Sequence, residues 1–391
     1  MRYLLVSVYV ILITCCTHQS SDKAGSPVRW SDTMADAVMQ RFDSLCNYNN
    51  PGRINWQYDI AILGQAIDKL GYLDAKYSRY HEDYVDHFIT DDGKILTYDK
   101  EEYNLDNVNP AKGLITQYKR KGDIKYLNAV NTIIDQLQNQ PKTHTGGYWH
   151  KLKYPWQMWL DGTYMALPFL AQYAKEFNKR EWFDTVSGQI TLIYHQTLDP
   201  ATGLLYHAWD ESKTQMWCNP STGQSKHFWG RAMGWYMMAL VDVLEYLPSD
   251  YESRDSIISI FNSTSEALLR FRDTETGLWY QVLDKQNEEG NYPEASCSAM
   301  FTYAFAKGAR RGYLPDKFND VALTSFQSIT KHFIKTGEDG LPVMTNICGS
   351  AGLGGTPYRD GSYEYYIHEK RVDNDPKGVG PFILAAIELN K

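Results

Sequence analysis

The succession of helical segments and connections constrains the fold of this chain more than any other feature. Apolar residues recur at helical spacing in twelve segments, at about 28–46, 56–70, 74–89, 108–121, 124–139, 161–177, 179–196, 231–247, 253–272, 295–312, 315–335 and 378–390. Every second connection is short, namely 71–73, 122–123, 178, 247–252 and 313–314. The others are long, namely 90–107, 140–160, 197–230, 273–294 and 336–377, and strand-like alternation is confined to them.

This rhythm predicts an all-α fold, an (α/α)6 barrel in which six helical hairpins close into a double ring. Helices that follow long connections begin with small residues, as suits crowded inner helices whose N-termini converge at one mouth. An open α-solenoid is the alternative, but it predicts connections of more equal length. Because functional residues concentrate in long loops on a rigid scaffold, we expect the site at the long-loop mouth.

The N-terminal residues are typical of an export signal. An apolar run over 3–13 is too short to span a bilayer permanently, and it ends at Cys15 and Cys16, which are candidates for lipidation. We predict a lipoprotein-type signal peptide over 1–16 and a flexible tether over 17–27. The protein is then exported and lipid-anchored, in the periplasm or at the outer membrane. A plain secretory signal is the alternative.

Composition limits what the remaining chain can do. Residues 28–391 are enough for one large domain, and we predict a single catalytic domain there. The formal net charge of −8 argues against a nucleic-acid partner, which would need a basic face. The four later cysteines are widely spaced and lack a CxxC pair, so we expect mostly free, buried thiols and no metal site.

One carboxylate stands out, because Asp161 opens a helical segment directly after Trp156 and Trp159. Indole rings can stack on sugars, and an apolar environment favours the protonated form of a carboxyl group, as a general acid requires. Asp-Gly is also an ordinary helix start, where the carboxylate accepts backbone N–H bonds, so a structural role stays open. We predict that Asp161 is the proton donor of a carbohydrate-active site.

Further candidates occupy the long connections. Asp106 precedes an inner helix and is either a second carboxylate or a helix cap. An arginine is unfavourable at a helix N-terminus, so Arg231 indicates either a bound anion or a paired acidic side chain. The predicted substrate-binding residues are His150, Lys151, Trp159, His207, Trp229, Arg231 and Trp235.

Several long strings then occur in a recognisable order: NLDNVNPAKGL, GGYWHKLKYPWQMWLDGTYMALPF, TGLLYHAWDES, HFWGRAMGWYMMALVDVLEYLP, SCSAMFTYAFAKG and CGSAGLGGTPYRDGSYEYYI. They resemble the unsaturated rhamnogalacturonyl hydrolase family, glycoside hydrolase family 105. The resemblance implies an (α/α)6 barrel that removes a terminal 4,5-unsaturated uronic acid from lyase-generated acidic oligosaccharides. It also implies that Asp161 is the catalytic acid, that Asp106 is the second acid, and that the predicted substrate-binding residues line the pocket.

The chemistry implied by this resemblance is hydration of an enol ether. Protonation at C4 creates an oxocarbenium ion at C5, water adds there, and the hemiketal collapses with release of the aglycone. We expect no cofactor. Four alternatives remain: an unsaturated glucuronyl hydrolase acting on another acidic glycan, a conventional glycosidase with carboxylates across the bond, a polysaccharide lyase, and a surface glycan-binding lipoprotein.

Overall fold

The computed structural model describes residues 29–48 and 55–391. The predicted signal peptide, the tether, and Cys15 and Cys16 lie outside the described residues. Within them the α-helices are α1 (Trp30–Arg41), α2 (Tyr58–Asp68), α3 (Ala75–Phe88), α4 (Ala111–Lys121), α5 (Ile124–Asn139), α6 (Leu160–Glu176), α7 (Trp182–Thr197), α8 (Gly230–Tyr246), α9 (Arg254–Arg270), α10 (Ala295–Arg310), α11 (Lys317–Phe333), α12 (Tyr363–His368) and α13 (Pro376–Leu389).

The long helices form two concentric rings. The inner ring consists of α2, α4, α6, α8, α10 and α13, and the outer ring consists of α1, α3, α5, α7, α9 and α11. Contacts run from α4 through α6, α8 and α10 to α13, and the ring closes where α13 packs against α2. The first helix, α1, is the outer partner of the last, α13. The predicted (α/α)6 barrel is confirmed. We call the end with the long connections the mouth and the other end the rear.

Inner and outer helices differ in how their side chains are buried. In α6, α8 and α10 nearly every residue is buried, whereas α3, α5 and α11 are buried along one face only. A helix surrounded by other helices has this all-round apolar character. Small residues allow close approach, since a Cβ added at Gly234 of α8 would lie 2.5 Å from the Met300 sulfur of α10.

Short strands connect the long loops at the mouth. They are β1 (Gln157–Trp159), β2 (Ala208–Asp210), β3 (Ile334–Thr336), β4 (Pro342–Met344), β5 (Ile347–Cys348) and β6 (Arg371–Val372), and they pair antiparallel as β1–β2, β3–β4 and β5–β6. In the first pair Trp159 lies opposite Ala208, and the Leu160 N–H donates to the His207 carbonyl at 3.1 Å. This register places the start of α6 beside His207.

Two further observations concern the cysteines and membrane-spanning helices. Cys46, Cys218, Cys297 and Cys348 are free thiols and the last three are buried, as predicted. Across 29–48 and 55–391, no helix combines the length and the apolar character needed to cross a bilayer.

Candidate active site

Asp161 is the second residue of α6, at the mouth of the inner ring. Its Oδ2 atom lies 3.2 Å from His207 Nε2, but the two atoms are not aligned as a hydrogen bond. Among the described residues, this buried oxygen has no hydrogen-bond partner. A helix cap would engage the carboxylate with backbone N–H groups, so the free oxygen favours the catalytic interpretation over the structural one.

His207 is held rigidly beside this carboxyl group. Its Nδ1 atom lies 2.8 Å from the Tyr366 hydroxyl, and its ring centroid is 4.7 Å from the Trp229 ring. Burial raises the pKa of Tyr366 well above its usual value, so the phenol keeps its hydrogen and can donate it to Nδ1. When the phenol donates to Nδ1, the ring hydrogen of the imidazole is carried by Nε2, which lies on the Asp161 side of the ring.

Asp106 has a different environment, on a single 3-10 turn (Leu105–Asn107) in front of α4. Lys151 Nζ donates to its Oδ2 at 2.5 Å, and His150 Nε2 lies 3.6 Å from its Oδ1. Burial alone would raise the pKa of Asp106, but neighbouring groups, Lys151 above all, outweigh burial and hold that pKa below its ordinary value. Asp106 is therefore ionised near neutral pH and cannot serve as the proton donor.

An aromatic cluster forms one wall of the site. The Trp159 ring lies 4.7 Å from His150 and 5.0 Å from Tyr154, in both cases 17° from parallel. Arg359 lies 6.0 Å from the Trp159 ring centroid and donates to the Tyr154 hydroxyl at 2.9 Å. Burial lowers the pKa of His150 to about 4, so this ring is neutral and adds no positive charge near neutral pH.

The prediction that Arg231 is a free cation for the substrate needs correction. Its side chain is only 1% exposed, and Nη2 lies 3.6 Å from Glu294 Oε1, which is fully buried. Nε donates to the Ser296 hydroxyl, and Nη2 donates to the Cys348 carbonyl at 2.5 Å. The alternative interpretation, an arginine paired with an acidic side chain, describes this geometry. Lys151 is likewise already paired, with Asp106.

Trp229 and Trp235 pack behind the site, and both are almost fully buried. Trp229 donates from Nε1 to Gln281 Oε1 at 3.1 Å and lies against Tyr366. Trp235 stacks on Tyr164, with ring centroids 5.2 Å apart. Their contact with the substrate stays a prediction, whereas their support of neighbouring rings is visible in the packing.

The comparisons with known proteins agree with this geometry. The family described as Glycosyl Hydrolase Family 88 matches residues 30–391. The chain belongs to the family 88/105 glycoside hydrolases. A solved structure of a family 105 glycoside hydrolase from C. acetobutylicum ATCC 824 has a TM-score of 0.89 and 43% identity, covering 93% of this chain and 99% of the other.

Two curated relatives carry more specific names. Unsaturated rhamnogalacturonyl hydrolase YesR of Bacillus subtilis (strain 168) is 27% identical over 262 residues, which are 66% of this chain and 71% of that protein. An unsaturated 3S-rhamnoglycuronyl hydrolase of Formosa agariphila is 28% identical over 160 residues, which are 40% of this chain and 41% of that protein. The chain is thus a glycoside hydrolase of the unsaturated glycuronyl hydrolase group, and the family 105 resemblance is confirmed.

Sequence reasoning missed two tyrosines of this glycoside hydrolase. Burial, together with the charges of Asp106 and Asp59 and more weakly that of Asp161, raises the pKa of Tyr58 well above its usual value, so this phenol stays neutral. Tyr366 positions His207. Neither stands out among 29 tyrosines in the sequence. The one available signal is position, because Tyr58 is the first residue of an inner helix and Asp161 is the second residue of another.

The arrangement separates two carboxyl groups by environment. Asp106 is fixed as a carboxylate by a lysine, while Asp161 keeps one oxygen available beside His207. Two acids held in different environments are typical of sites in which one donates a proton and the other stays charged. The site can therefore give a proton to a bound substrate and take one back.

Proposed function

We propose that this enzyme removes a terminal 4,5-unsaturated galacturonyl residue from lyase-generated acidic oligosaccharides, such as unsaturated rhamnogalacturonan fragments. The observation that carries the proposal is the free Oδ2 of Asp161 beside His207, at a distance from the ion pair of Asp106 with Lys151. Hydration of an enol ether needs one carboxyl group that both donates and accepts a proton, and Asp161 has the free oxygen for this. The name of the Bacillus subtilis relative supports the galacturonyl end.

In this mechanism Asp161 gives its proton to C4 of the unsaturated sugar. The electrons of the C4=C5 bond form the new C–H bond, and the ring oxygen stabilises the cation at C5. Water adds to C5 and returns a proton to Asp161. The hemiketal then opens to a ketone and releases the aglycone, which leaves the enzyme in its starting form.

The surrounding residues have supporting roles. His207 lies beside the Asp161 carboxyl group, with Nε2 3.2 Å from Oδ2, and Tyr366 fixes the histidine from the opposite side. The carboxylate of Asp106 stabilises the positive charge that develops at C5, and electrostatic stabilisation of this kind is a large catalytic contribution in a dry site.

The decisive experiment follows the ultraviolet absorbance of the conjugated double bond in purified enzyme with lyase-generated oligosaccharides. The absorbance should disappear, and a reaction run in heavy water should place deuterium at C4 of the released keto-sugar. A polysaccharide lyase would create this absorbance instead. Turnover without deuterium at C4 would reject the mechanism.

An unsaturated glucuronyl end is the second candidate. It stays open because the Formosa agariphila relative is named an unsaturated 3S-rhamnoglycuronyl hydrolase, a name that does not specify a galacturonyl end. Elimination leaves C4 and C5 trigonal, so galacturonic and glucuronic acid give the same unsaturated residue, and the two candidates differ in the anomeric linkage and in the sugar attached to it. Unsaturated disaccharides that differ in this linkage and attached sugar separate the two candidates, and the higher kcat/KM identifies the natural substrate.

We also propose that the enzyme works outside the cytoplasm, held to a membrane by a lipid on Cys15 or Cys16. The support is the apolar run over 3–13 that ends at these two residues.

A further inference from the structure

A groove leads out of the active site between two loop segments. One side is formed by residues 153–157, which precede β1 and end at its first residue, and the other by residues 354–359 of the long connection to α12. Gln215 completes the lining. Gly354 and Gly355 have positive φ values of 63° and 83°, which glycine adopts readily, and Gly355 is exposed along this side.

The aromatic rings of Tyr154, Trp159 and His150 lie between the groove and the catalytic acids. The Tyr154 ring, which lines the groove, lies 6.5 Å from the His150 ring and 5.0 Å from Trp159. His150 Nε2 in turn lies 3.6 Å from Asp106. A sugar joined to a residue bound at the acids would therefore enter this groove.

Two positive charges in the groove have no acidic partner. Within 29–48 and 55–391, neither Lys153 nor Arg359 has a carboxylate within 4.0 Å. Lys153 is exposed, and its Nζ lies 5.4 Å from the Tyr154 ring centroid. Other cations near the site differ, since Lys151 and Arg231 are each paired with an acid.

Arg359 is rigidly held by neutral groups only. Nε donates to the Gly354 carbonyl at 2.9 Å, and Nη2 donates to the Tyr154 hydroxyl and the Leu353 carbonyl. These acceptors fix the guanidinium without neutralising it. The electrostatic effect of Lys153 also reaches the site, because its charge contributes to lowering the pKa of Asp106.

We propose that this groove binds the aglycone of the substrate and selects an aglycone that carries an anionic group. Lys153 and Arg359 supply the positive charge, in a protein whose net charge is −8. The anion is a sulfate ester on the adjoining sugar or the carboxylate of the next uronic acid. This inference rests on the proposed function.

Three substrates with the same unsaturated end test the inference. The first has a neutral rhamnose aglycone, the second carries a sulfate ester on that rhamnose, and the third continues from the rhamnose to a uronic acid. We expect at least one charged substrate to have a higher kcat/KM than the neutral substrate. The charged substrate that is preferred identifies the source of the anion. The preference should weaken as salt is added, because exposed charges are screened.

The variant is Lys153→Gln, and Lys142→Gln is its matched control. Lys142 is also exposed, and its Nζ lies 5.5 Å from the ring of Tyr148, much as Lys153 lies over Tyr154, but it is outside the groove. In Lys153→Gln the ratio of charged to neutral kcat/KM should fall by up to about fivefold, the upper range for an exposed ion pair. The control should keep the wild-type ratio.

Two outcomes overturn the inference in distinguishable ways. Turnover of all three substrates with equal kcat/KM, or a wild-type ratio in Lys153→Gln, rejects the charge-selective groove and leaves the proposed function intact. Failure to turn over any of the three rejects the proposed function and the groove together.

Discussion

Asp106 and Asp161 are the same residue type with different neighbours, and the difference decides their chemistry. Lys151 compensates the charge of Asp106, whereas one oxygen of Asp161 is without a hydrogen-bond partner in the described chain. Only the second arrangement leaves a carboxyl group able to exchange a proton with a substrate. Substitutions that preserve shape but remove charge should separate the two roles.

Asp161→Asn keeps the size of the side chain but removes the exchangeable proton. We expect kcat to fall by at least about a hundredfold, the usual scale for loss of general acid catalysis. The helix should survive, because the residue before α6, Trp159, makes no side-chain cap and Asp161 Oδ2 is not engaged in one. Loss of double-bond absorbance measures the rate, and circular dichroism checks folding. Full activity in this variant would exclude Asp161 as the acid.

Lys151→Gln should change the pH profile through Asp106. Lys151 is the largest influence that lowers the pKa of Asp106, so its removal lets burial raise that pKa. If the ionised form is required, the acid limb of the kcat/KM profile moves to higher pH. Lys142→Gln, outside the site, should leave the limb in place. An unmoved limb in Lys151→Gln would show that ionisation of Asp106 does not control the reaction.

Arg231→Ala should act mainly on stability. It leaves the fully buried Glu294 without its counter-charge, which costs about 3–5 kcal/mol of unfolding free energy. Urea denaturation measures the loss. The double variant Arg231→Met with Glu294→Gln removes both charges and should lose less than Arg231→Ala alone. Wild-type stability in Arg231→Ala, combined with a raised KM, would restore the role of a free substrate-binding cation.

Residues with local signals could be predicted, and residues whose partners lie far along the chain could not. Asp161 and Trp159 are two positions apart in sequence, so the aromatic neighbour of the carboxyl group is visible there. The pairing of Arg231 with Glu294 depends on how α8 packs against α10. Tyr366 reaches His207 only after the connection from α11 to α13 has folded back over the mouth.

At the scale of elements, helices and strands differed in how much the sequence revealed. The long helices bury enough apolar residues to show clear periodicity. The strands have two or three residues and α12 has six, which is too short for any period to be recognised. Yet the β1–β2 register is what brings Asp161 next to His207.

Gly223→Ala should disturb this register. Gly223 has a φ of 83°, and an added Cβ would collide with the backbone oxygen of Asp210 in β2. We expect a lower kcat/KM with little change in helix content. Gly122→Ala is the matched control, since Gly122 has a φ of 69° but open space around it. It should lose only about 1 kcal/mol of stability. Equal kinetics in the two variants would show that the register does not position the site.

At the scale of the whole molecule, the fold could be predicted because the alternation of connections is a property of the entire chain. The five short connections force consecutive helices into antiparallel hairpins, and their alternation with long connections favours a closed ring over an open solenoid. The sequence could not show that α1 would complete the last hairpin by packing on α13. That contact joins the two ends of the described chain.

The localisation proposal is tested on the full chain. Replacing both Cys15 and Cys16 by Ser removes the proposed sites of acylation, so fatty-acid labelling and membrane association should both be lost. Replacing Cys46 by Ser is the control, because this thiol lies inside the barrel domain and should not affect either readout. Membrane association and labelling that persist in the double variant would reject the lipid anchor.

The position of α1 determines at which end of the barrel an anchored enzyme would be attached to the membrane. As an outer helix, α1 starts at the rear of the barrel, and Arg29 just before it donates to the hydroxyl of Tyr72, in the short connection between α2 and α3, at 3.4 Å. A lipid attached upstream through the predicted flexible tether would therefore join the barrel at its rear. The mouth would stay away from the point of attachment, open to oligosaccharides in the surrounding solution.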